Sequence, residues 1–297
     1  MQKQVLKVLR RLRFTHLLPD GTSWRRGEQK YHYMVLSVLA GPVAIRPGAV
    51  PIYWKQLGKI GASSQSEREE LLTGALQHFN LEGMTLLADR EYIGKQWFSA
   101  LVAHRINFII RLRTGNYRHA VDATPGRAYW QLYEKCLSWR KFVRKRFMLD
   151  GKPYYLSMKP DPANAGGEGA IVFLTLLRPA GKTVDQYLKR WRTECLFRHL
   201  KTNGFHLEDL NMSCPLKSNL MMAVVCLAYV ISIRAGWKDR EAIRQIQFDD
   251  ETVLPAQSVF RHGLSKVFYW CGSFQRFISF LHQLFETKKH RIVKNVQ

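Results

Sequence analysis

Acidic residues are scarce in this chain. Its 297 residues carry 23 Asp plus Glu against 46 Lys plus Arg, a formal charge of +23. An excess of that size repels itself in a compact fold unless a polyanion offsets it. Nucleic acid is the usual partner, and a small-metabolite enzyme with no nucleic-acid role is disfavoured; the plain alternative is a merely basic protein. Cysteine is also sparse: Cys136, Cys195, Cys214, Cys226 and Cys271 are widely spaced and form no CxxC pair. That excludes a disulfide scaffold and a sequence-evident zinc finger, and it suits a reducing cytosol. The ten histidines form no HxxxH or Cys/His ligand pattern. The longest apolar run, Leu220 to Ile233, is shorter than a membrane-spanning helix requires and reads as a buried core helix. Repeats and low-complexity tracts are lacking, and no signal-peptide core follows the start. Apolar side chains are plentiful at 46%, with 12% aromatics, enough for a packed core.

Met1 to Arg13 reads as a short basic helix, and FTHLL as a strand ending at Pro19-Asp20. Tyr31 to Ala40 and Ala49 to Trp54 are β-prone runs separated by the loop GPVAIRPG. Ser66-x-x-Glu69 has the form of a capping box, so a helix should follow. MTLLA is a buried strand that stops at Asp89, Gly94 to His104 a helix, and INFIIRLR another strand. Strands alternating with helices argue for a mixed α/β sheet. The character changes from 115 to about 179. There FVRKRFML and KPYYLSM flank Asp150-Gly151 as a hairpin, and AIVFLTLL is a further strand. This reads as a β-rich insertion. The expected organisation is 1–114 as the first part of the core, 115–179 as the insertion, and 180–297 as a mostly helical remainder of the same domain.

The most informative stretch runs from Val184 to Leu210. Tyr187, Arg190, Glu194 and Lys201 are spaced Y-x2-R-x3-E-x6-K. On one continuous helix they would share a stripe about 60° wide and about 21 Å long. Arg, Lys and Tyr can all donate to phosphate oxygens over several nucleotides. A lone Glu among phosphate-binding cations is out of place unless a divalent metal sits between carboxylate and phosphate. The plain alternative is a solvated helix with an Arg190–Glu194 ion pair. A metal site needs more acids, and Asp20 and Asp89 are suitably placed after apolar strands, where α/β active sites form. Each alone could equally be an ordinary loop or N-cap aspartate.

Asp20-x-Thr22-x-Trp24, then Ala88-Asp89-Arg90-Glu91-Tyr92, then the Tyr-Arg-Glu-Lys spacing resembles the DDE transposases of bacterial insertion sequences. The group named after insertion sequence four, which carries that four-residue signature, is the most similar. The resemblance runs from Leu17 to about Gly236. It implies a ribonuclease H-like α/β fold with a β-rich insertion between the second Asp and the Glu, and a helical C-terminal part. It implies that Asp20, Asp89 and Glu194 are the catalytic acids and bind two Mg²⁺ ions, with Mn²⁺ a possible substitute. Tyr187, Arg190 and Lys201 would grip the phosphates of double-stranded DNA at the transposon's terminal inverted repeats. Cleavage through a DNA hairpin, strand transfer and cut-and-paste recombination are the implied activity, in a homodimeric synaptic complex. The implied setting is the bacterial cytoplasm, at the nucleoid when bound to DNA.

Some such enzymes stack a flipped base on an aromatic, for which Trp130 and Trp139 are candidates; for either one taken singly, anchoring a small β domain is the favoured reading. Arg144 and Lys145, within Arg140 to Arg146, are candidate DNA contacts, and Lys288 to Arg291 is a weaker basic run. Two features depart from the family pattern. Gly21 stands where an arginine is usual, and 19 residues precede Asp20 where a DNA-reading helical region is usual. The alternative expectation is therefore a shortened, non-catalytic DNA-binding regulator or remnant of the family. The helical stretch GLSKVFYWCGSFQRFISFLHQLF reads as packed on the core, with a subunit interface as the other possibility.

Overall fold

The computed structural model describes residues 14–40, 48–161, 169–212 and 214–285. The expected N-terminal helix, the segment 41–47, most of the loop 160–169 and the Lys288 to Arg291 run lie outside them. The chain divides into two compact units.

The larger unit comprises Arg13–Arg198 and Glu208–Pro215. Its centre is one sheet of eight strands: β1 (His16–Arg26), β2 (Gln29–Ala40), β3 (Gly48–Gln56), β4 (Thr85–Ala88), β5 (Asn107–Leu112), β6 (Val143–Leu149), β7 (Lys152–Pro160) and β8 (Ala170–Thr175). Their order is β3-β2-β1-β4-β5-β8-β7-β6. β1 to β3 form an antiparallel meander, β4 and β5 run parallel to β1, and β8, β7 and β6 return antiparallel. From Tyr31 onward every residue of β2 is buried. Unbroken burial replaces the usual alternation when both faces of a sheet are covered. Four helices are α1 (Gln65–Leu76), α2 (Lys95–Ala103), α3 (Arg118–Asp122) and α4 (Tyr129–Trp139). α2 buries Trp97, Phe98 and Leu101, and Phe98 stacks on Phe108 of β5 at 5.4 Å.

The α/β class and the helical C-terminal part are as expected; several details differ. β1 does not end at Pro19-Asp20 but continues to Arg26 along β2. The β1–β4 ladder consists of His16↔Thr85 and Leu17↔Leu86. Pro19 lies beyond it, where β1 is paired on one side, a setting that tolerates a missing N–H. The capping box of α1 is Ser64 with Glu67, because Glu69 instead accepts from Gln65 Nε2 at 2.7 Å. The 115–179 segment also holds the helices α3 and α4, and its strands extend the main sheet through β5–β8. The Asp150-Gly151 turn has φ of 50° and 73°, as a tight hairpin requires.

The expected continuous helix after Thr183 is two: α5 (Thr183–Leu188) and α6 (Trp191–Leu200). Between them Lys189, Arg190, Arg192 and Thr193 donate three residues back rather than four, winding the chain tighter. The 100°-per-residue bookkeeping therefore fails across this joint, and Lys201 falls just past the end of α6.

Among the described residues the smaller unit comprises His199–Leu207 and 216–285. It contains most of α7 (Pro215–Lys238), together with α8 (Val259–Cys271) and α9 (Phe274–Phe285). Not expected from the sequence is a two-stranded ribbon, β9 (Gln245–Gln247) with β10 (Val253–Pro255). α7 is long and apolar enough to cross a membrane by length and composition, yet 61% of its most apolar stretch is buried inside the protein. Gly236 and Gly263 let α7 and α8 meet backbone to backbone. Trp270 stacks on Phe280 at 4.0 Å, closing α8 on α9. All five cysteines are free thiols.

Candidate active site

The site forms where β1 and β4 part. Continuing the offset of His16↔Thr85 and Leu17↔Leu86 by three residues brings Asp20 level with Asp89. Asp89 is the first residue after β4, at the carboxyl end of a parallel strand, where α/β sheets open a crevice. Its Oδ1 accepts the N–H of Arg90 at 2.7 Å and caps a single tight turn, Arg90–Tyr92. The α5/α6 joint supplies the remaining groups.

Arg190 is the hub. Its Nη1 donates to Asp20 Oδ2 at 3.2 Å and its Nη2 to Glu194 Oε1 at 3.1 Å. Its side chain is 18% exposed, and its buried Nε has no hydrogen-bond partner among the described residues. The tight winding at 189–190 is what aims the guanidinium back at β1 while leaving Glu194 one turn away. Tyr187 is buried against Phe173 at 4.9 Å; burial first, and then Asp89, push its hydroxyl up, while a hydrogen bond with Arg190 opposes this.

The opposite oxygen of Asp20 accepts the Gly21 N–H at 2.9 Å. Burial lifts this carboxyl from 3.8 to about 6; Arg190 and Gly21 pull it down, and the charges of Asp89 and Glu91 push it further up. Glu91 was not among the expected site residues. Its Oε1 accepts from the Ser63 N–H at 2.7 Å and the Ser63 hydroxyl at 2.5 Å. A further acid two residues after Asp89, in a chain so short of acids, is the signal that could have found it. His16, on β1, is held neutral: burial and then Lys189 lower it to about 4.

β1, the end of β4 and the α5/α6 joint thus gather Asp20, Asp89, Tyr187, Arg190 and Glu194. Lys201 lies in the smaller unit. Arg144 and Lys145 lie on β6, away from this cluster in the sheet order. Arg144 donates to Pro179 O at 3.0 Å. Lys145 Nζ donates to Val121 O, Thr124 O and Arg127 O at 2.6, 2.8 and 2.8 Å, so all three of its hydrogens are engaged by backbone. On α4, Trp130 and Trp139 are exposed, and the Lys135 ammonium sits 4.1 Å from the centre of the Trp139 ring. Trp139 lines a cleft of about 600 Å³ with Arg127, Lys135, Lys141 and Arg144.

Among the described residues no three His, Cys, Asp or Glu side chains stand in ligating geometry. The chemistry of the donors nevertheless fits a divalent ion. Carboxylate oxygens are the ligands that Mg²⁺ and Mn²⁺ select. The raised Asp20 carboxyl records chiefly its burial, with the charges of Asp89 and Glu91 as smaller contributions.

A sheet ordered 3-2-1-4-5 with acids at the β1/β4 split and on a following helix is consistent with the ribonuclease H-like fold of DDE transposases. A family model described as "Transposase DDE domain" matches residues 15–231. The chain belongs to that family. Its members act on DNA in transposition and generally use divalent metal ions. No curated protein matches the chain. The crystal structure of the NurA nuclease from Sulfolobus solfataricus aligns at 12% identity, covering 82% of this chain and 92% of that one, with a TM-score of 0.27. A likeness at that level supports no conclusion.

Proposed function

We propose that this chain is the catalytic core of a bacterial insertion-sequence transposase of the Tyr-Arg-Glu-Lys type, cutting and joining DNA at the terminal inverted repeats of its element. The observation that carries this reading is the meeting of Asp20, level with Asp89, and Glu194 around Arg190. Asp20, Asp89 and Glu194 would hold Mg²⁺, or Mn²⁺ in its place. When bound, two such ions activate water or a 3′-hydroxyl and stabilise the leaving 3′-oxygen.

The chain's own groups have separate tasks. Arg190 keeps Asp20 and Glu194 apart and charged before substrate arrives, and donates to the scissile phosphate afterwards. Tyr187, a protonated phenol, is the adjacent donor. Lys201, beyond α6, binds flanking phosphate. Arg144 tracks the DNA backbone with the donors Pro179 does not use. Lys145 supports that surface by holding the 121–127 loop. The cleft beside Trp139 offers one stacking face among cations, the combination that holds unpaired nucleotides. The active form is a homodimer holding two element ends, at the nucleoid of the bacterial cytoplasm.

A second reading, a non-catalytic DNA-binding regulator, is favoured by one observation: Arg190 spans the very oxygens a metal would need, with Gly21 in place of a neighbouring cation. A nicking and strand-transfer assay separates the two. The substrate is DNA bearing the inverted repeats that flank the gene, with Mg²⁺ or Mn²⁺, and Glu194→Gln is the control. Metal-dependent cutting lost in the variant supports the enzyme. DNA binding without cutting in either metal refutes it in favour of the regulator.

A further inference from the structure

We propose that Glu91 is a positioning residue, coupled through Ser63 to the buried cation of Arg68, and that this relay fixes the turn carrying Asp89. The inference rests on the reading of Asp89 as a site acid.

That turn is short, closed by the Tyr92 N–H on Asp89 O at 3.0 Å. β4 is four residues long, and Asp89 caps a three-residue turn whose other end is extended backbone at Ile93. Tyr92 anchors one side of it: the ring is buried, 6.2 Å from Trp97, with the Arg68 guanidinium 5.3 Å from its centre. Glu91 faces the other way, and its residue is exposed, yet one carboxylate oxygen takes both donors of Ser63.

Ser63 is buried and has a second client. Its Oγ accepts from Arg68 Nε at 2.9 Å, and its carbonyl accepts from Arg68 Nη2 at 2.6 Å. The hydroxyl has one hydrogen, so its directions are determined: it accepts from the guanidinium and donates to the carboxylate. Arg68 is 7% exposed, and no acid bonds it directly among the described residues. Glu91 completes the chain by accepting the one hydroxyl hydrogen that Ser63 has left to give once its oxygens serve Arg68. The turn is thus tied at Glu91 to Ser63, just before α1, and at Tyr92 to Arg68 on α1, which also holds Ser63.

Positioning and direct metal ligation make different demands. Accepting from Ser63 needs an oxygen, which Gln retains; ligation needs the charge. Three variants are compared with the wild-type chain: Ser63→Ala, Glu91→Ala and Glu91→Gln. Amide hydrogen exchange over residues 84–98 reads the turn without reference to activity. Exchange at Arg90 to Tyr92 should accelerate about tenfold or more in the two Ala variants and stay near wild type in Glu91→Gln. Cleavage of inverted-repeat DNA should fall about 10- to 100-fold in the Ala variants, as when a ligand's supporting bond is removed, and largely survive in Glu91→Gln. Should Glu91→Ala fail to fold, Ser63→Ala carries the comparison. Unaltered exchange in Ser63→Ala overturns the proposal. So does a Glu91→Gln chain with wild-type exchange and no cleavage, which would make Glu91 a ligand. The expected exchange pattern in a chain whose wild type does not cut upholds the relay and refutes the catalytic reading instead.

Discussion

Asp20→Asn should make the metal-free protein more stable while removing a site acid. The Asp20 carboxyl is raised from 3.8 to about 6, with burial the largest cause, and its side chain is 23% exposed. The folded chain therefore holds this proton more tightly than the unfolded chain. Between pH 3.8 and about 6 the folded state binds more protons, so stability falls as pH rises through that window and stays reduced above it. The rise corresponds to about 3 kcal/mol once the carboxyl is ionised. Asparagine has the same shape and never ionises. At pH 8 in EDTA, Asp20→Asn should exceed wild type by about 3 kcal/mol, and below pH 4 the two should coincide. Thermal melts at both pH values would show this as several degrees, at about 2–4 °C per kcal/mol for a domain of 150–250 residues. A gain that is absent at pH 8, or that persists unchanged at pH 4, would refute the reasoning, because either result means ionisation of Asp20 costs the fold nothing.

Other expectations follow from the same structure. Arg190→Ala removes the cation that opposes burial at Asp20, so the Asp20 carboxyl should titrate above about 6; its ¹³C shift against pH would show an unmoved or lower midpoint if the pairing were immaterial. Lys145→Ala strips charged donors from three carbonyls and should cost about 1–3 kcal/mol in urea melts. Trp139→Ala, at a residue 57% exposed, should change stability by less than about 0.5 kcal/mol yet weaken binding of unpaired DNA by about 1–3 kcal/mol in fluorescence titrations. Gly263→Ala would place a methyl 1.8 Å from Ser232 O and 2.6 Å from Gly236 N, forcing α7 and α8 apart. A loss of about 1–3 kcal/mol or more should appear in its urea midpoint.

The sequence by itself determined most of the sheet and singled out three acids, Asp20, Asp89 and Glu194, of which the structure links Asp20 and Glu194 through Arg190. Apolar runs such as HYMVLSVLA and MTLLA have one stable solution, burial as strands, and Asp150-Gly151 has one good turn to make. Asp20 and Asp89 were legible because each ends or follows such a run, and Glu194 because its charge is anomalous beside Tyr187 and Arg190. Tertiary structure decided what those groups do to one another. Periodicity treats Lys189 and Arg190 like any helical pair; the tighter winding there, which turns Arg190 onto Asp20, is a compromise with a strand some 170 residues away in sequence. Lys145 reads as a DNA contact in a basic run; the fold brings three loop carbonyls to its ammonium. Glu91 looks like surface charge, because its partner Ser63 and the buried Arg68 lie in another element. Local pattern reports a residue's own preference for water or burial. Hydrogen-bond and charge satisfaction is a property of the pair, and the fold alone chooses the pairs.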